Sequence, residues 1–163
     1  MSTPTPNLTD KVLDLLSHSV GEVFKTMLTL EVQPAPTHDL HASDETLVAG
    51  SVGFIGDATG VVYIQVTASF ARTLAGRMLG LAEAELDGDA MVCDVIGELS
   101  NMIVGSVKSR LCDSGAACVL TIPSVVRGKN FKVEPASGSQ HRLLGFRCGA
   151  DHILVELLMK YSK

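Results

Sequence analysis

The sequence predicts an α+β domain, an antiparallel sheet with two long helices packed on it. The first observation is that apolar residues recur at helical spacing over two long segments, about 9–29 and 89–111. The second is a set of segments with strand character, in two pairs that each enclose a short glycine-bearing turn: 47–55 with 61–67, and 142–148 with 152–159. Tight turns join antiparallel strands, and helices come between the pairs, so the helices and the sheet should form two layers.

The first third of the chain predicts a helix followed by a strand, a loop and a hairpin. Thr9-Asp10 can cap the helix, which extends to about residue 29. A strand is then expected to begin at Leu30–Val32 and to stop at Pro34, because proline lacks the N–H that a strand ladder uses. Residues 33–46 predict a loop. Gly56–Gly60 separates the next two strands and supplies the residues with positive φ that a hairpin turn needs.

The rest of the chain predicts a further helix and several strands. Residues 68–79 form a helix that ends before Gly80. After the second long helix, residues 117–122 predict a strand, and a short strand is expected near 131–133 in a polar, glycine-rich segment. The last two strands are expected to enclose a turn at Gly149–Asp151.

Length and composition predict a single domain. Of the 163 residues, 46% are apolar and 19% are charged, which argues against disorder. Residues 1–8, polar and proline-bearing, predict a flexible N-terminal tail, and residues 9–163 the domain itself. The formal net charge is −5 and there is no basic run, so nucleic acid is not expected as a partner.

The chain is also expected to stay clear of membranes and of oxidising compartments. The N-terminus lacks the regions of a secretory signal, and no uninterrupted apolar run approaches the roughly 20 residues of a membrane span. The cysteines form no CxxC pair and predict reduced thiols: Cys93, Cys112, Cys118 and Cys148. These observations predict a cytoplasmic protein with no metal or cofactor of its own.

A polar stripe on the second long helix is the most informative feature of the sequence. Five residues follow one another at steps of four, three, four and three: Asp94, Glu98, Asn101, Gly105 and Lys108. At about 100° per residue these positions share one narrow stripe, roughly opposite the apolar face that contains Val95, Leu99, Met102 and Ile103. The carboxylate of Glu98 and the carboxamide of Asn101 are therefore expected to point the same way, from a face of the helix that is not needed for the core.

The extended motif D-x-x-G-E-L-x-N-x-x-x-G over Asp94–Gly105 resembles that of the CheX/CheC/FliY family of response-regulator phosphatases. Three other segments resemble the CheX branch: Val23–Leu28, the hairpin around Gly53–Val62, and Leu120–Gly128. Together they run from about residue 20 to 160. The resemblance implies the CheC-like two-layer fold.

The resemblance implies a phosphatase that hydrolyses the aspartyl phosphate of a CheY-like receiver domain. Glu98 and Asn101 would be the catalytic pair, Asn101 orienting the attacking water and Glu98 anchoring the receiver's lysine. The magnesium ion would belong to the receiver. CheX proteins are dimers whose sheets join at an edge, so a homodimer is expected as well.

This division of roles suits the chemistry of the two side chains. A carboxamide both donates to and accepts from a water and carries no charge that would repel phosphate. A carboxylate would be repelled unless it binds a cation, so Glu98 is better suited as an anchor than as a general base. Asp94, Gly97, Gly105 and Lys108 are expected to contact the partner, and the two glycines, costly inside a helix at about 1 kcal/mol each, would let a partner's backbone approach closely.

The sequence leaves alternatives open. CheC-type members carry a second E-x-x-N on the first helix, whereas here Glu22 is followed three residues later by Lys25, which leaves one site per chain. The stripe is also compatible with an ordinary solvated helix face. The alternative function is a non-catalytic adaptor that docks a response regulator or a flagellar switch component. A small-ligand enzyme is a weaker option, because no nucleophile–base set or cofactor motif is present.

Overall fold

The computed structural model describes residues 7–42 and 44–161, which form a seven-stranded antiparallel sheet with three α-helices on one face. The helices are α1 (Leu8–Val23), α2 (Ala68–Leu79) and α3 (Gly88–Asp113). The strands are β1 (Gln33–Ala35), β2 (Leu47–Gly56), β3 (Ala58–Thr67), β4 (Cys118–Leu120), β5 (Ser124–Gly128), β6 (Gln140–Cys148) and β7 (Asp151–Tyr161). The predicted α+β class is confirmed, with α1 and α3 as the two long helices.

The sheet is built from two hairpins that meet at its centre. The strand order is β1-β6-β7-β3-β2-β4, and β5 also pairs with β2. The hairpins β2–β3 and β6–β7 are joined by antiparallel pairing of β3 with β7, in which Ile64 faces Val155. Helix α3 packs against both other helices and against β2, and it also contacts β4 and β5 at an edge of the sheet.

A single hydrophobic core lies between the sheet and the helices. Alternate residues of the central strands point into it, because side chains alternate between the two faces of a strand. The core residues of these strands include Val48, Val52, Val62, Ile64, Val66, Val155 and Leu157. Residues from the helices complete it: Leu16, Val20, Leu74, Leu99 and Ile103. The predicted inward face of the α3 motif is therefore part of the core.

Helix α1 begins at Leu8, one residue earlier than expected. Its N-cap is Asn7, whose side chain accepts a hydrogen bond from the backbone N–H of Asp10 at 2.8 Å, so the predicted cap at Thr9-Asp10 is wrong. The helix continues as a π-helical turn over Phe24–Leu28 and ends at Thr29, which has a positive φ of 55°. Of the predicted flexible tail, residues 1–6 lie outside the described part of the chain.

Two strand predictions are wrong. The first strand runs over Gln33–Ala35 rather than beginning at Leu30, and it includes Pro34. Since β1 lies at the edge of the sheet and pairs only with β6, a missing N–H is tolerated there. The strand expected near 131–133 does not form, and the fifth strand is β5 instead. This edge strand was not predicted because its apolar residues, Val125 and Val126, are too few to show the alternation typical of a strand.

Helix α3 is long and apolar enough, by length and composition, to cross a membrane. Half of the apolar window is buried inside the fold, where its side chains contact the sheet and the other helices. A core helix of a folded domain has the same composition, so the apolar character of α3 is explained by its packing.

Candidate functional site

Helix α3 presents its apolar side to the sheet. Val95, Leu99 and Ile103 are buried, as the helical spacing predicts, and Met102 is half-buried. The backbone carbonyl of Ile103 also accepts a hydrogen bond at 2.8 Å from the hydroxyl of Ser19, which is buried on α1. These contacts set the rotation of α3, so the opposite side of the helix faces outward.

The polar stripe lies on that outward side. Asp94 and Glu98 are exposed, and Asn101, Gly105 and Lys108 are half-buried. Within residues 7–42 and 44–161, the side chains of Glu98 and Asn101 form no hydrogen bond or ion pair. A carboxylate and a carboxamide one helical turn apart are thus available to a partner.

A groove of about 450 Å³ runs beside Glu98, between α3 and the edge of the sheet. Its lining comes from α3 and from the chain around the start of β5: Cys93, Asp94, Gly97, Glu98, Pro123 and Val125. The α3 residues were candidates from the sequence, apart from Cys93. Pro123 and Val125 were not, although their segment is one of those that resemble CheX proteins; a strand paired with β2 brings them next to Glu98.

The two glycines of the motif have different surroundings. A Cβ on Gly97 would stand 3.3 Å from Cγ2 of Val125, so the absent side chain first accommodates the chain's own β5. A Cβ on Gly105 would meet nothing within 4 Å. Gly105 therefore has open space in front of it, and its contact with a partner stays a prediction, as does that of Gly97.

Lys108 lies at the other end of the stripe, beside a small apolar hollow. Its neighbours there come from α1, α3 and the strands β2, β3 and β4, and include Val12, Val104 and Leu120. The aliphatic stem of a lysine can cover such a surface while its ammonium group reaches water. Burial raises the pKa of the nearby Cys118 thiol, and the Lys108 charge offsets part of that rise.

Cys93 is a thiol in the groove but a poor nucleophile. Burial raises its pKa, and the opposing effect of Arg127 is smaller. Arg127 on β5 pairs with Asp89 at the start of α3, with 3.5 Å between Nη2 and Oδ2. Since the thiolate is the reactive form, Cys93 is mostly protonated and unreactive near neutral pH.

The position of a second E-x-x-N motif on α1 is occupied by a structural contact. One carboxylate oxygen of Glu22 lies 3.0 Å from the guanidinium of Arg110 on α3 and 3.2 Å from the imidazole of His18. Glu22 is thus held by groups of its own chain, unlike Glu98. Within residues 7–42 and 44–161, no group of three or more His, Cys, Asp and Glu residues is placed to hold a metal ion.

The fold is that of CheC-like proteins. A CheC-like superfamily protein from Shewanella sp. PV-4 superposes with a TM-score of 0.79 at 25% identity, over 95% of this chain and 99% of that one. The chemotaxis protein CheX from Vibrio vulnificus superposes with a TM-score of 0.80 at 24% identity, over 95% and 100%. CheX in the CheX–CheY–BeF3–Mg²⁺ complex from Borrelia burgdorferi gives 0.73 at 20% identity, over 91% and 97%.

The sequence itself identifies the family. A family model described as chemotaxis phosphatase CheX matches residues 48–147, more than half of the chain and all of α3. The chain therefore belongs to the CheX family of chemotaxis phosphatases, as the motif resemblance predicts. No curated protein sequence matches it.

Proposed function

We propose that this chain dephosphorylates the receiver domain of a CheY-like response regulator. The observation that carries the proposal is the outward pair Glu98 and Asn101, free of partners within the described residues, in a member of the CheX family. The Borrelia burgdorferi relative was solved with CheY, BeF3 and Mg²⁺. The magnesium ion is assigned to the receiver, and no cofactor is assigned to this chain.

Asn101 would act by positioning water. A water attacks the phosphorus of the aspartyl phosphate, the bond between phosphorus and the carboxylate oxygen breaks, and the products are the free aspartate and inorganic phosphate. The receiver's own cations neutralise charge, so the phosphatase needs to supply orientation rather than a strong base. The neutral amide of Asn101 suits that role because it can accept from and donate to the same water.

Glu98 would anchor the receiver through an ion pair with a lysine. Its carboxylate is exposed, so little of its hydration is lost before docking, and it stands one turn from Asn101 on the same side of α3. Asp94, Gly105 and Lys108 on the stripe, and Gly97 in the groove beside it, would border the docked receiver. The protein would act in the cytoplasm, and as a homodimer whose sheets join at an edge.

The test is to mix the phosphorylated receiver with wild type, Asn101→Ala, Glu98→Ala and, as a control, Glu134→Ala, which removes an exposed glutamate outside the site. Asn101→Ala should lower kcat about 100-fold with little change in KM. Glu98→Ala should raise KM about tenfold at low salt, and this effect should shrink as sodium chloride is added. Glu134→Ala should behave as wild type.

Wild-type protein that leaves the rate of dephosphorylation unchanged would refute the enzymatic role. If it nevertheless binds the phosphorylated receiver, the non-catalytic adaptor becomes the better description. A defect in Asn101→Ala that is confined to KM would also contradict the role given to that side chain.

A further inference from the structure

The edge strand beside the groove contains a bulge that exposes an isoleucine. In β4, Leu120 pairs with Phe54, and the next residue, Thr121, donates its backbone N–H to the carbonyl of Gly53 at 2.9 Å. In β5, Ser124 pairs with Ser51. Two residues, Ile122 and Pro123, therefore stand opposite one residue of β2, which is the arrangement of a β-bulge.

The bulge is held firmly on both sides. The hydroxyl of Thr121 accepts a hydrogen bond from the backbone N–H of Gly53 at 2.8 Å. On the other side, the hydroxyls of Ser51 and Ser124 are 2.7 Å apart and hydrogen-bonded. The backbone around Ile122 is thus ordered before any partner arrives, which lowers the entropy cost of a contact made there.

Ile122 is 90% exposed, more than any other large apolar side chain in the described residues. A bulged residue on an edge strand is free to turn away from the sheet, and bulges often re-aim a side chain next to a functional site. Here the neighbouring Pro123 lines the groove together with Glu98. An apolar side chain is therefore presented at the rim of the groove beside the candidate anchor.

We infer that the Ile122–Pro123 bulge is a second contact for the receiver domain, one that binds an apolar patch next to the receiver's phosphorylation site. The inference rests on the proposed function, since it takes the receiver as the occupant. A domain docked over Glu98 and Asn101 that fills the groove beside Glu98 reaches Pro123, which lines that groove, and Ile122 directly precedes Pro123 in the chain. The bulge would supply apolar contact area where Glu98 supplies charge.

The test compares Ile122→Ser with Val119→Ser. Val119 is also a β-branched residue on this edge and is 68% exposed, but it faces away from α3, since its neighbour Leu120 lies beside Val104 and Val107 of that helix. Ile122→Ser should raise KM for the phosphorylated receiver about tenfold and leave kcat unchanged, because an apolar side chain of this size is lost from the interface. Val119→Ser should leave both constants unchanged.

The dependence of KM on salt distinguishes the apolar contact of Ile122 from the ionic contact of Glu98. The ratio of KM between Ile122→Ser and wild type should stay constant as sodium chloride is added, whereas the ratio for Glu98→Ala should fall towards one. Both serine variants should keep the wild-type unfolding temperature, because the side chains removed are exposed.

The possible failures are distinguishable. If wild type hydrolyses the phosphate and Ile122→Ser has the wild-type KM, the inference is overturned and the proposed function stands. If wild type has no activity, the proposed function fails, and the inference is then decided by the Kd for the receiver activated with beryllium fluoride. Loss of a dimer in light scattering with no change in KM or Kd would assign Ile122 to a contact between copies and overturn the inference.

Discussion

The hydroxyl of Ser100 on α3 occupies the space in which a side chain on Gly50 of β2 would lie. A Cβ built on Gly50 would overlap this hydroxyl and stand 3.1 Å from the carbonyl oxygen of Ile96. Ser100 is buried and donates its hydroxyl proton to that same carbonyl at 2.8 Å. Helix and strand thus approach so closely that only glycine fits, and this contact holds the inner side of α3 against the sheet while Glu98 and Asn101 stay outside.

The first prediction is that Gly50→Ala destabilises the protein by about 1–3 kcal/mol, because the added methyl group forces the helix away from the strand. Chemical unfolding monitored by circular dichroism measures this. Adding Ser100→Gly to Gly50→Ala removes the overlapping hydroxyl but leaves the Ile96 carbonyl, so part of the stability should return. A Gly50→Ala variant as stable as wild type would contradict this prediction, because it would show that α3 and β2 can move apart without loss of free energy of unfolding.

The second prediction concerns Gly105, in front of which no atom lies within 4 Å. Gly105→Ala should stabilise the fold by up to about 1 kcal/mol, because alanine is the better helix former. It should also raise KM for the phosphorylated receiver, because a methyl group would stand where the partner's backbone approaches. The matched control is Gly21→Ala on α1, a helical glycine whose Cβ position is equally open. This variant should gain stability with no change in KM; equal KM values for the two variants would contradict a close approach at Gly105.

The third prediction concerns a buried polar network on the face of the sheet away from the helices. Glu156 is 8% exposed; it accepts a hydrogen bond from the side-chain amide of Gln65 and lies 2.8 Å from the Nε2 atom of His141. Glu156→Ala leaves a buried amide without its acceptor and should cost about 1–3 kcal/mol of stability. Glu156→Gln keeps an acceptor oxygen and should cost less.

Activity provides the control for this pair of variants. Because Glu156 points away from α3, the specific activity of the remaining folded protein should equal that of wild type in both cases. Alanine and glutamine variants of equal stability would indicate that the hydrogen bond to Gln65 contributes little.

The fourth prediction is that the thiols react with iodoacetamide in a set order. Cys112 is exposed and should react first. Burial raises the pKa values of Cys93, Cys118 and Cys148, with Asp151 adding to the rise at Cys148, so the reactive thiolate is scarce at neutral pH. Their labelling should accelerate as the pH rises towards these elevated pKa values, and in denaturant all the thiols should react alike. Mass spectrometry of the native protein at neutral pH and at pH about 9 measures the order, and early labelling of Cys93 would contradict it.

The helices and hairpins were predictable because their signals are local. The expected positive φ in the β2–β3 turn was wrong, since Gly56 and Gly60 both belong to the strands and neither has a positive φ. The 3.6-residue period of α3 placed Val95 and Leu99 inward and Glu98 outward, and the structure has all three as predicted. The expected helix over 68–79 coincides with α2, and Gly80 ends it with a positive φ of 67°. The cap at Asn7 was missed because Asn, Thr and Asp are all good N-caps, and only the hydrogen bond to Asp10 distinguishes among them.

The groove was not predictable, because residues distant in sequence form it. Val125 reaches Gly97 only when β5 pairs with β2, and that pairing depends on contacts between segments more than 70 residues apart. The residues of β5 show no hydrophobic periodicity that would predict its pairing with β2. The bulge at Ile122 could not be predicted from its own segment either. It is defined by the pairing with β2, where Ile122 and Pro123 both stand opposite Val52.

By itself, the sequence determined the two-layer class, the outward stripe from Asp94 to Lys108 and, through its motif, the CheX family. Each of these follows from the order of residues along one helix or one hairpin. Only the tertiary structure decided that β3 pairs with β7, that Ser100 fits against Gly50, and that Pro123 lies beside Glu98. The physical reason is that register and close packing are set by the summed burial of the whole core, which no short segment encodes alone.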